Sequence, residues 1–199
     1  MSKRILEVRS GSARAFDRPG LGLLVAWILI AWMVELVDQQ TSFNLDQYGI
    51  EPRDLVGLRG VLLSPWLHGS WQHLLANTVT FLGLGVIMIL VGGRRFLSIT
   101  WYLVLLSGLG TWIIARGGVH IGASGLIYGY FGYILGRAIW ERRILWIIFG
   151  ILVAVIYGGM IGGVLPGKAG ISWEGHLAGL LGGVWLGKLH ADRRRPRRR

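Results

Sequence analysis

Long apolar runs, separated by shorter polar and glycine-rich segments, make up most of the chain. A bilayer's hydrocarbon core is about 30 Å thick, and a helix needs about 20 predominantly apolar residues to cross it. Six runs approach or reach that length, and short basic or glycine-rich segments separate most of them. The pattern predicts an all-α polytopic membrane protein with six transmembrane helices. Their predicted ranges are 21–37, 71–91, 96–115, 124–137, 144–160 and 171–189.

The polar segments divide the chain around one predicted membrane domain, residues 21–190. A basic segment, residues 1–20, precedes it, and an Arg-rich tail, residues 191–199, follows it. No cleavable signal is evident, because no A-x-A-like site follows the first apolar run. The long polar insertion at residues 38–70 contains apolar pieces, one of them around Trp66. We expect this insertion to be a partly structured outer loop with interfacial helical turns; simple disorder is the alternative.

The net charge of +11 is distributed unevenly along the chain. Six spans place both termini on one side, and that side receives 17 of the Lys and Arg residues against 4 on the other. The positive-inside rule therefore predicts cytoplasmic termini, here in a bacterial plasma membrane. The basic excess is mainly a topology signal with some affinity for anionic lipid, so the bilayer is an expected partner and nucleic acid is not. Nucleic-acid binding by the tail is left as an alternative.

One serine stands where a glycine-rich turn gives way to an apolar helix, in Gly122-Ala123-Ser124-Gly125. Small neighbours leave its approach path bare, and the helix start offers backbone N–H groups and the positive end of the dipole. A nucleophile and its oxyanion hole require such a setting. The same motif also occurs at ordinary contacts between transmembrane helices, so it assigns no chemistry by itself. The chain has no cysteine, which excludes disulfides, thiolate metal sites and cysteine nucleophiles.

Counting residues along the helices places a histidine at the depth of this serine. Ser124 precedes the cytoplasmic Arg137 by 13 residues, or about 20 Å of helix, so its helix starts inside the protein. His176 precedes Lys188 by 12 residues, or about 18 Å. A lone intramembrane histidine is more often a packing residue. The matched depth instead favours a functional pair, since polar side chains in a membrane mark sites.

Glycines on the fourth and sixth spans allow these two helices to approach each other. Gly125 and Gly129 have small-xxx-small spacing, and so do Gly175, Gly179 and Gly183. Such faces bring transmembrane backbones close together. Tight packing without chemistry explains the same glycines equally well, so they permit a site without proving one.

The start of the second span supplies two hydrogen-bond donors near the same depth. His73 and Asn77 are four residues apart and share a helix face. Asn77 precedes Arg94 by 17 residues, about 26 Å, which places both side chains at or slightly above Ser124. Donors at that height could stabilise an oxyanion. A metal site is disfavoured, because His68 and His73 are five residues apart and no carboxylate or thiolate completes the ligands.

Together these motifs resemble the rhomboid intramembrane serine proteases. The resemblance spans residues 21–190 and implies a rhomboid-like bundle of six helices without a cofactor. It implies a dyad in which Ser124 is the nucleophile and His176 the general base. The motifs that carry it are Gly122-Ala123-Ser124-Gly125, His176-x-x-Gly179-x-x-x-Gly183 and His68-x4-His73-x3-Asn77.

The resemblance also implies roles for the surrounding residues. His73, Asn77 and the backbone N–H of Ser124 would form the oxyanion hole. Tyr128 matches a tyrosine that packs against the catalytic histidine, and His68 matches a histidine that supports the first loop. A Trp-Arg pair common in that loop is missing, with Leu58-Arg59 as the nearest match. The glycines expected to support the site are Gly122, Gly125, Gly179 and Gly183.

The expected function is hydrolysis of peptide bonds in or near transmembrane segments of membrane-protein substrates. A non-catalytic relative that binds membrane proteins is the main alternative, and it would be expected to have lost a catalytic or oxyanion residue. A transporter or channel would show inverted repeats or paired charges at the midplane, and the sequence shows neither. Other intramembrane proteases require H-E-x-x-H, paired aspartates within spans, or a lysine at depth, which are missing as well. Glu174 lies two residues before His176, on a different helix face, and is not assigned as the acid of a triad.

Overall fold

The computed structural model describes residues 18–41, 43–141, 143–168 and 170–192. Most of the predicted basic segment, residues 1–20, and most of the Arg-rich tail, residues 191–199, lie outside the described residues. The proposed division of the chain at those two points therefore stays a prediction.

Within the described ranges the chain is helical and contains no strand, as the apolar pattern predicts. Each long helix begins within three residues of its predicted start. The helix that follows the outer loop begins where Ser70 caps it, since the Ser70 hydroxyl accepts a hydrogen bond from the His73 N–H. The helices are α1 Arg18–Gln40, α2 Gly60–Leu63, α3 Trp71–Gly92, α4 Phe96–Ile114, α5 Ser124–Glu141, α6 Ile144–Tyr157 and α7 Trp173–Asp192.

Among the residues that the structure describes, four helical segments are long and apolar enough to cross a membrane. They are Gly20–Gln40, Trp71–Gly92, Phe96–Ile114 and Ile144–Val164. Helices α5 and α7 do not join them, because glycines, tyrosines and ionisable residues dilute their apolar character. Buried side chains dominate α5, so little of it would face lipid. The described structure thus supports a membrane-embedded helical protein, and the count of six spans stays a prediction.

Helix α5 lies at the centre of the bundle and packs against α3, α4, α6 and α7. Three of its aromatic side chains are fully buried, namely Tyr130, Phe131 and Tyr133. The Tyr130 hydroxyl lies 2.7 Å from Thr100 Oγ1, which satisfies both polar groups inside the bundle. Burying a helix that starts with Ser124 fixes the position of the serine relative to every neighbouring helix.

The contact between α5 and α7 is made by backbone. A Cβ atom at Gly179 would overlap the carbonyl oxygen of Gly125, and one at Gly183 would overlap the carbonyl oxygen of Gly129. Further along, a Cβ at Gly187 would come within 2.7 Å of the Tyr133 carbonyl oxygen. Removing side chains from the interface lets the two helices approach as closely as their backbones allow. The glycines with small-xxx-small spacing therefore form the close helix contact that the sequence predicts.

The described residues of the insertion at residues 38–70 form helical turns, as expected, and not the simple disorder that was the alternative. It is fastened to the end of α4, where Arg53 donates hydrogen bonds to the carbonyls of Ile113 (3.2 Å) and Ala115 (2.7 Å). In return, Trp112 Nε1 donates to the carbonyl of Asp54 at 2.8 Å. An arginine at these last carbonyls satisfies groups that the helix itself leaves unpaired. The turns are Leu45–Tyr48, Val56–Arg59, Gly60–Leu63 and Ser64–Trp66.

Arg59, from the pair nearest to the missing Trp-Arg motif, braces this loop. Its Nη2 donates to the carbonyl of Gln47 at 3.2 Å, and its guanidinium lies 4.5 Å from the centre of the Tyr48 ring. A cation over an aromatic face is a stabilising contact. The arginine therefore holds the loop together although the preceding residue is a leucine.

The glycine contact leads to a stability prediction. Gly179→Ala should destabilise the protein by about 1–3 kcal/mol, the usual cost of overpacking, because its Cβ meets backbone that cannot give way. This is opposite to the gain of about 0.5–1 kcal/mol that alanine normally brings inside a helix. Gly22→Ala on α1 is the matched control, since its Cβ would meet nothing within 4 Å among the described residues. Thermal unfolding in detergent measures both; equal stability of the two variants would contradict the account.

Candidate active site

The turn before Ser124 is shaped by Gly122 and held by the outer loop. Gly122 has φ +107°, a conformation that L side chains rarely adopt, and its N–H donates to the carbonyl of Ser64 at 2.9 Å. A Cβ at Gly122 would come within 2.8 Å of the His73 ring. Both the conformation and the close ring therefore require glycine two residues before the serine.

Ser124 and His176 form a hydrogen-bonded pair across the α5–α7 contact. Ser124 is the first residue of α5 and His176 lies in the first turn of α7. The distance from Ser124 Oγ to His176 Nε2 is 2.8 Å. The pair that depth counting put at one level is thus within direct hydrogen-bonding reach.

The other ring nitrogen of His176 shows which tautomer is present. Its Nδ1 lies 2.9 Å from the carbonyl oxygen of Gly163. A carbonyl can only accept, so Nδ1 carries the proton and Nε2 presents a lone pair to the hydroxyl of Ser124. This is the protonation pattern that a general base for serine requires.

Tyr128 holds the face of the histidine ring. The two rings stack with centroids 4.2 Å apart and an interplanar angle of 13°. The Tyr128 hydroxyl donates to the carbonyl of Met160 at 2.6 Å, which fixes the tyrosine in turn. Packing of this tyrosine against His176 agrees with the position that the family resemblance implies. The carbonyls of Met160 and Gly163 were missed by sequence reasoning, because every residue has a carbonyl and none leaves a signal in the side-chain pattern.

His73 and Asn77 border the same space as the serine. A cavity of about 670 Å³ is lined by both side chains together with Ser124, Tyr128 and His176. Asn77 Nδ2 donates to the carbonyl of His73 at 2.9 Å, which sets the orientation of the amide. The structure therefore brings the proposed oxyanion donors and the dyad into one cleft.

His68 supports this corner from the loop before α3. It is 1% exposed, its Nδ1 lies 3.4 Å from the Trp66 carbonyl, and its ring meets the His73 ring edge-on with centroids 5.0 Å apart. Burial lowers the pKa of His68 to about 4, so the ring is neutral at physiological pH. A neutral, buried ring can pack against His73 without placing a charge beside the site.

A second, much smaller cavity of about 30 Å³ borders the serine. Ser124 lines it together with the hydroxyl-bearing residues Ser107, Thr111 and Ser172. A cavity needs about 10–15 Å³ and two to four polar partners to hold one water. Its size and its walls therefore suit a single water molecule next to Ser124.

One wall of the site is held by an ion pair between Arg116 and the carboxylate of Glu174. Arg116 Nη1 lies 2.9 and 3.1 Å from the two oxygens of Glu174, which is 3% exposed, and Nη2 donates to the Ile171 carbonyl at 2.7 Å. Glu174 thus faces Arg116 and is not the acid partner of His176. His120 joins this wall, with Nε2 donating to the Arg116 carbonyl at 2.9 Å and Nδ1 2.6 Å from Ser172 Oγ. Sequence reasoning missed His120, although a histidine four residues before the motif serine was a visible signal.

Comparison with known proteins shows which family and which relatives have similar sequences. The Rhomboid domain family model matches residues 57–193. An uncharacterized protein of Mycobacterium tuberculosis is 41% identical over 170 residues, which cover 81% of this chain and 71% of that one. An uncharacterized protein of Mycobacterium leprae is 39% identical over the same share of this chain and 67% of its own. The Arabidopsis thaliana RHOMBOID-like protein 4 is 33% identical over 132 residues, 61% of this chain and 31% of that one.

The matched family region contains the serine, the histidine, the cleft between them and the glycine contact that joins their helices. This chain belongs to the rhomboid family.

Proposed function

We propose that this rhomboid-family protein is an intramembrane serine endopeptidase that cleaves peptide bonds in or near transmembrane segments of membrane proteins. The observation that carries the proposal is the 2.8 Å hydrogen bond between Ser124 Oγ and His176 Nε2, with Nδ1 already committed to the Gly163 carbonyl. A serine and a histidine in this arrangement can act as nucleophile and general base.

The geometry supports the following acylation step. Ser124 Oγ attacks the substrate carbonyl carbon while His176 Nε2 takes the hydroxyl proton. The carbonyl oxygen becomes an oxyanion, which the Ser124 N–H and the side chains of His73 and Asn77 would stabilise. His176 then gives its Nε2 proton to the leaving amine, the C–N bond breaks, and an acyl ester remains on Ser124.

Deacylation needs a water molecule beside a serine at membrane depth. The cavity of about 30 Å³ that Ser124 lines is of suitable size and polarity to hold one water. A water that passes from there into the cleft, which Ser124 and His176 both line, would give a proton to His176 Nε2 as it attacks the ester, and His176 would return the proton to Ser124 Oγ. The cycle leaves the dyad in its starting protonation state.

The depth of the site defines the substrate class. Ser124 precedes Arg137 by 13 residues, about 20 Å of helix, so with six spans and cytoplasmic termini the nucleophile would lie below the outer membrane surface. A substrate peptide bond must reach Ser124 with its carbonyl free, while a helix hydrogen-bonds its own carbonyls. Small or helix-destabilising residues in the substrate would therefore favour cleavage.

A non-catalytic rhomboid-family protein that binds membrane proteins is the second candidate. Such a protein does not need a nucleophile, a base and oxyanion donors in one cleft. Here Ser124, His176, His73 and Asn77 all border the same cavity, which favours the enzyme.

The nucleophile assignment predicts the outcome of covalent labelling. A fluorophosphonate should label the purified protein. Ser124→Ala and His176→Ala should each lose this labelling, and should also lose cleavage of a transmembrane substrate in proteoliposomes. Both variants should unfold at the temperature of the native protein. Ser98→Ala is the matched control, because Ser98 on α4 is exposed and its hydroxyl donates to the Arg95 carbonyl, away from the cleft. Equal labelling of Ser124→Ala and the native protein would refute the nucleophile.

The oxyanion assignment predicts a selective effect on the chemical step. Asn77→Ala should lower kcat by about 10²–10³-fold, the usual cost of losing one oxyanion donor. KM should change little, because this donor acts on charge that develops only in the transition state. Gln72→Ala, an exposed position on the same helix, is the control. A change in KM alone would assign Asn77 to substrate binding instead.

The proposed topology can be measured directly because the chain has no cysteine. A membrane-impermeant maleimide added to intact spheroplasts should label Lys168→Cys, in the exposed segment before α7, and should leave Ser10→Cys unlabelled until lysis. Labelling of Ser10→Cys in intact cells would reverse the predicted orientation.

A further inference from the structure

The segment Gly158–Val164 lies between α6 and α7 and hydrogen-bonds to the site through its backbone. It forms a short 3₁₀ helix in which no residue is buried. Two of its carbonyls accept hydrogen bonds from the site, Met160 from the Tyr128 hydroxyl (2.6 Å) and Gly163 from His176 Nδ1 (2.9 Å). Ile161 is 55% exposed, whereas Met160 packs against the core. The segment therefore meets the site through two backbone carbonyls and one partly buried side chain.

Close packing explains only one of the four glycines in this segment. A Cβ at Gly163 would overlap the Tyr128 hydroxyl and lie 3.3 Å from His176 Nδ1. By contrast, a Cβ at Gly158, Gly159 or Gly162 would meet nothing within 4 Å in the part of the chain that the structure describes.

Backbone conformation does not explain the other three either, since none of them has φ in the left-handed region. What glycine provides at such positions is a backbone that leaves its conformation easily, because it gains more conformational freedom than any other residue. Glycine at these three positions therefore leaves the backbone of the segment less restricted than any other residue would.

The Gly163 carbonyl has a chemical consequence for the base. With Nδ1–H bonded to it, His176 Nε2 is unprotonated and can accept the proton of Ser124. Without that acceptor the imidazole proton can occupy either nitrogen, and the Nε2–H form cannot act as the base. In a Ser-His-Asp triad the carboxylate performs this orienting task. Here Glu174 is already paired with Arg116, so the carbonyl stands in the place of the acid.

We propose that the Gly163 carbonyl orients His176 in place of a triad carboxylate, which makes Gly158–Val164 a positioning element for the base. Gly163 is a positioning residue, since it acts on the reaction through His176. This inference rests on the proposed function for its catalytic consequence, while the tautomer that it assigns to His176 can be measured without catalysis.

Two neighbouring glycines give matched variants with opposite expected effects. Gly163→Ala pushes the segment away from Tyr128 and His176, so the rate of fluorophosphonate labelling of Ser124 should fall by about tenfold or more, within the 10²–10⁴-fold that general base catalysis contributes. Gly162→Ala enters open space and stiffens the backbone of the segment, so labelling should stay the same or become faster. A Gly163→Ala protein that unfolds normally and is labelled at the native rate would overturn the proposal.

Nitrogen-15 NMR of histidine-labelled protein measures the tautomer itself. His176, assigned with the His176→Ala variant, should show a protonated Nδ1 in the native protein and in Gly162→Ala, and a larger Nε2–H population in Gly163→Ala. An unchanged tautomer in Gly163→Ala, even with slow labelling, would overturn the orienting role. If Gly163→Ala does not fold, the native protein itself tests the claim, since a His176 that carries its proton on Nε2 would overturn the orienting role. Tyr128→Phe is then the control, because it removes the bond to Met160 and keeps the Gly163 carbonyl, so Nδ1 should stay protonated.

Different results would refute the proposed protease activity and the proposed orienting role of Gly158–Val164. A native protein that is not labelled at Ser124 would refute the proposed protease activity. The His176 tautomer in Gly163→Ala would still decide whether the Gly158–Val164 segment orients the ring.

Discussion

The backbone contact between α5 and α7 is the constraint on which the rest of the structure depends. A serine–histidine hydrogen bond of 2.8 Å between two helices requires that their first turns lie at one depth and almost touch. Glycine at 179 and 183 removes every side-chain atom that would hold the helices apart. The glycines lower the apolar content of this helix pair. Helices α3, α4 and α6 pack around α5, so it does not depend on its own apolar character to stay in the bundle. Chemistry and packing therefore impose the same residues on this interface.

Around that contact, each polar group of the site is fixed by something other than a buried carboxylate. The Gly163 carbonyl and a stacked ring hold His176, a loop carbonyl holds Gly122, and Glu174 is paired with Arg116. Neutral partners avoid the large desolvation cost that an unpaired charge would carry inside a membrane. Under the proposed function, the base would be oriented by a carbonyl without such a charge, and would depend on the Gly158–Val164 segment for it.

The sequence predicts more of this site than of its supports. Depth counting finds Ser124 and His176, and helix spacing finds Asn77 beside His73, because those side chains are unusual in an apolar helix. The Gly163 and Met160 carbonyls leave no such trace, and the ion pair of Arg116 with Glu174 joins residues 58 positions apart. The helix starts also follow from the pattern. The conformation of the outer loop depends on hydrogen bonds to distant residues, such as that of Arg53 to the end of α4. No local sequence signal reveals such bonds.

A crystal structure of the protein after reaction with a fluorophosphonate tests the central claim most directly, since it shows the attacked atom and the oxyanion position together. The account predicts phosphorus bonded to Ser124 Oγ and a phosphonyl oxygen about 2.7–3.1 Å from the Ser124 N–H and the Asn77 amide. His176 should remain between the adduct and the Gly163 carbonyl. Phosphorus on another residue, or a phosphonyl oxygen that points away from Asn77 and the Ser124 N–H, would contradict it.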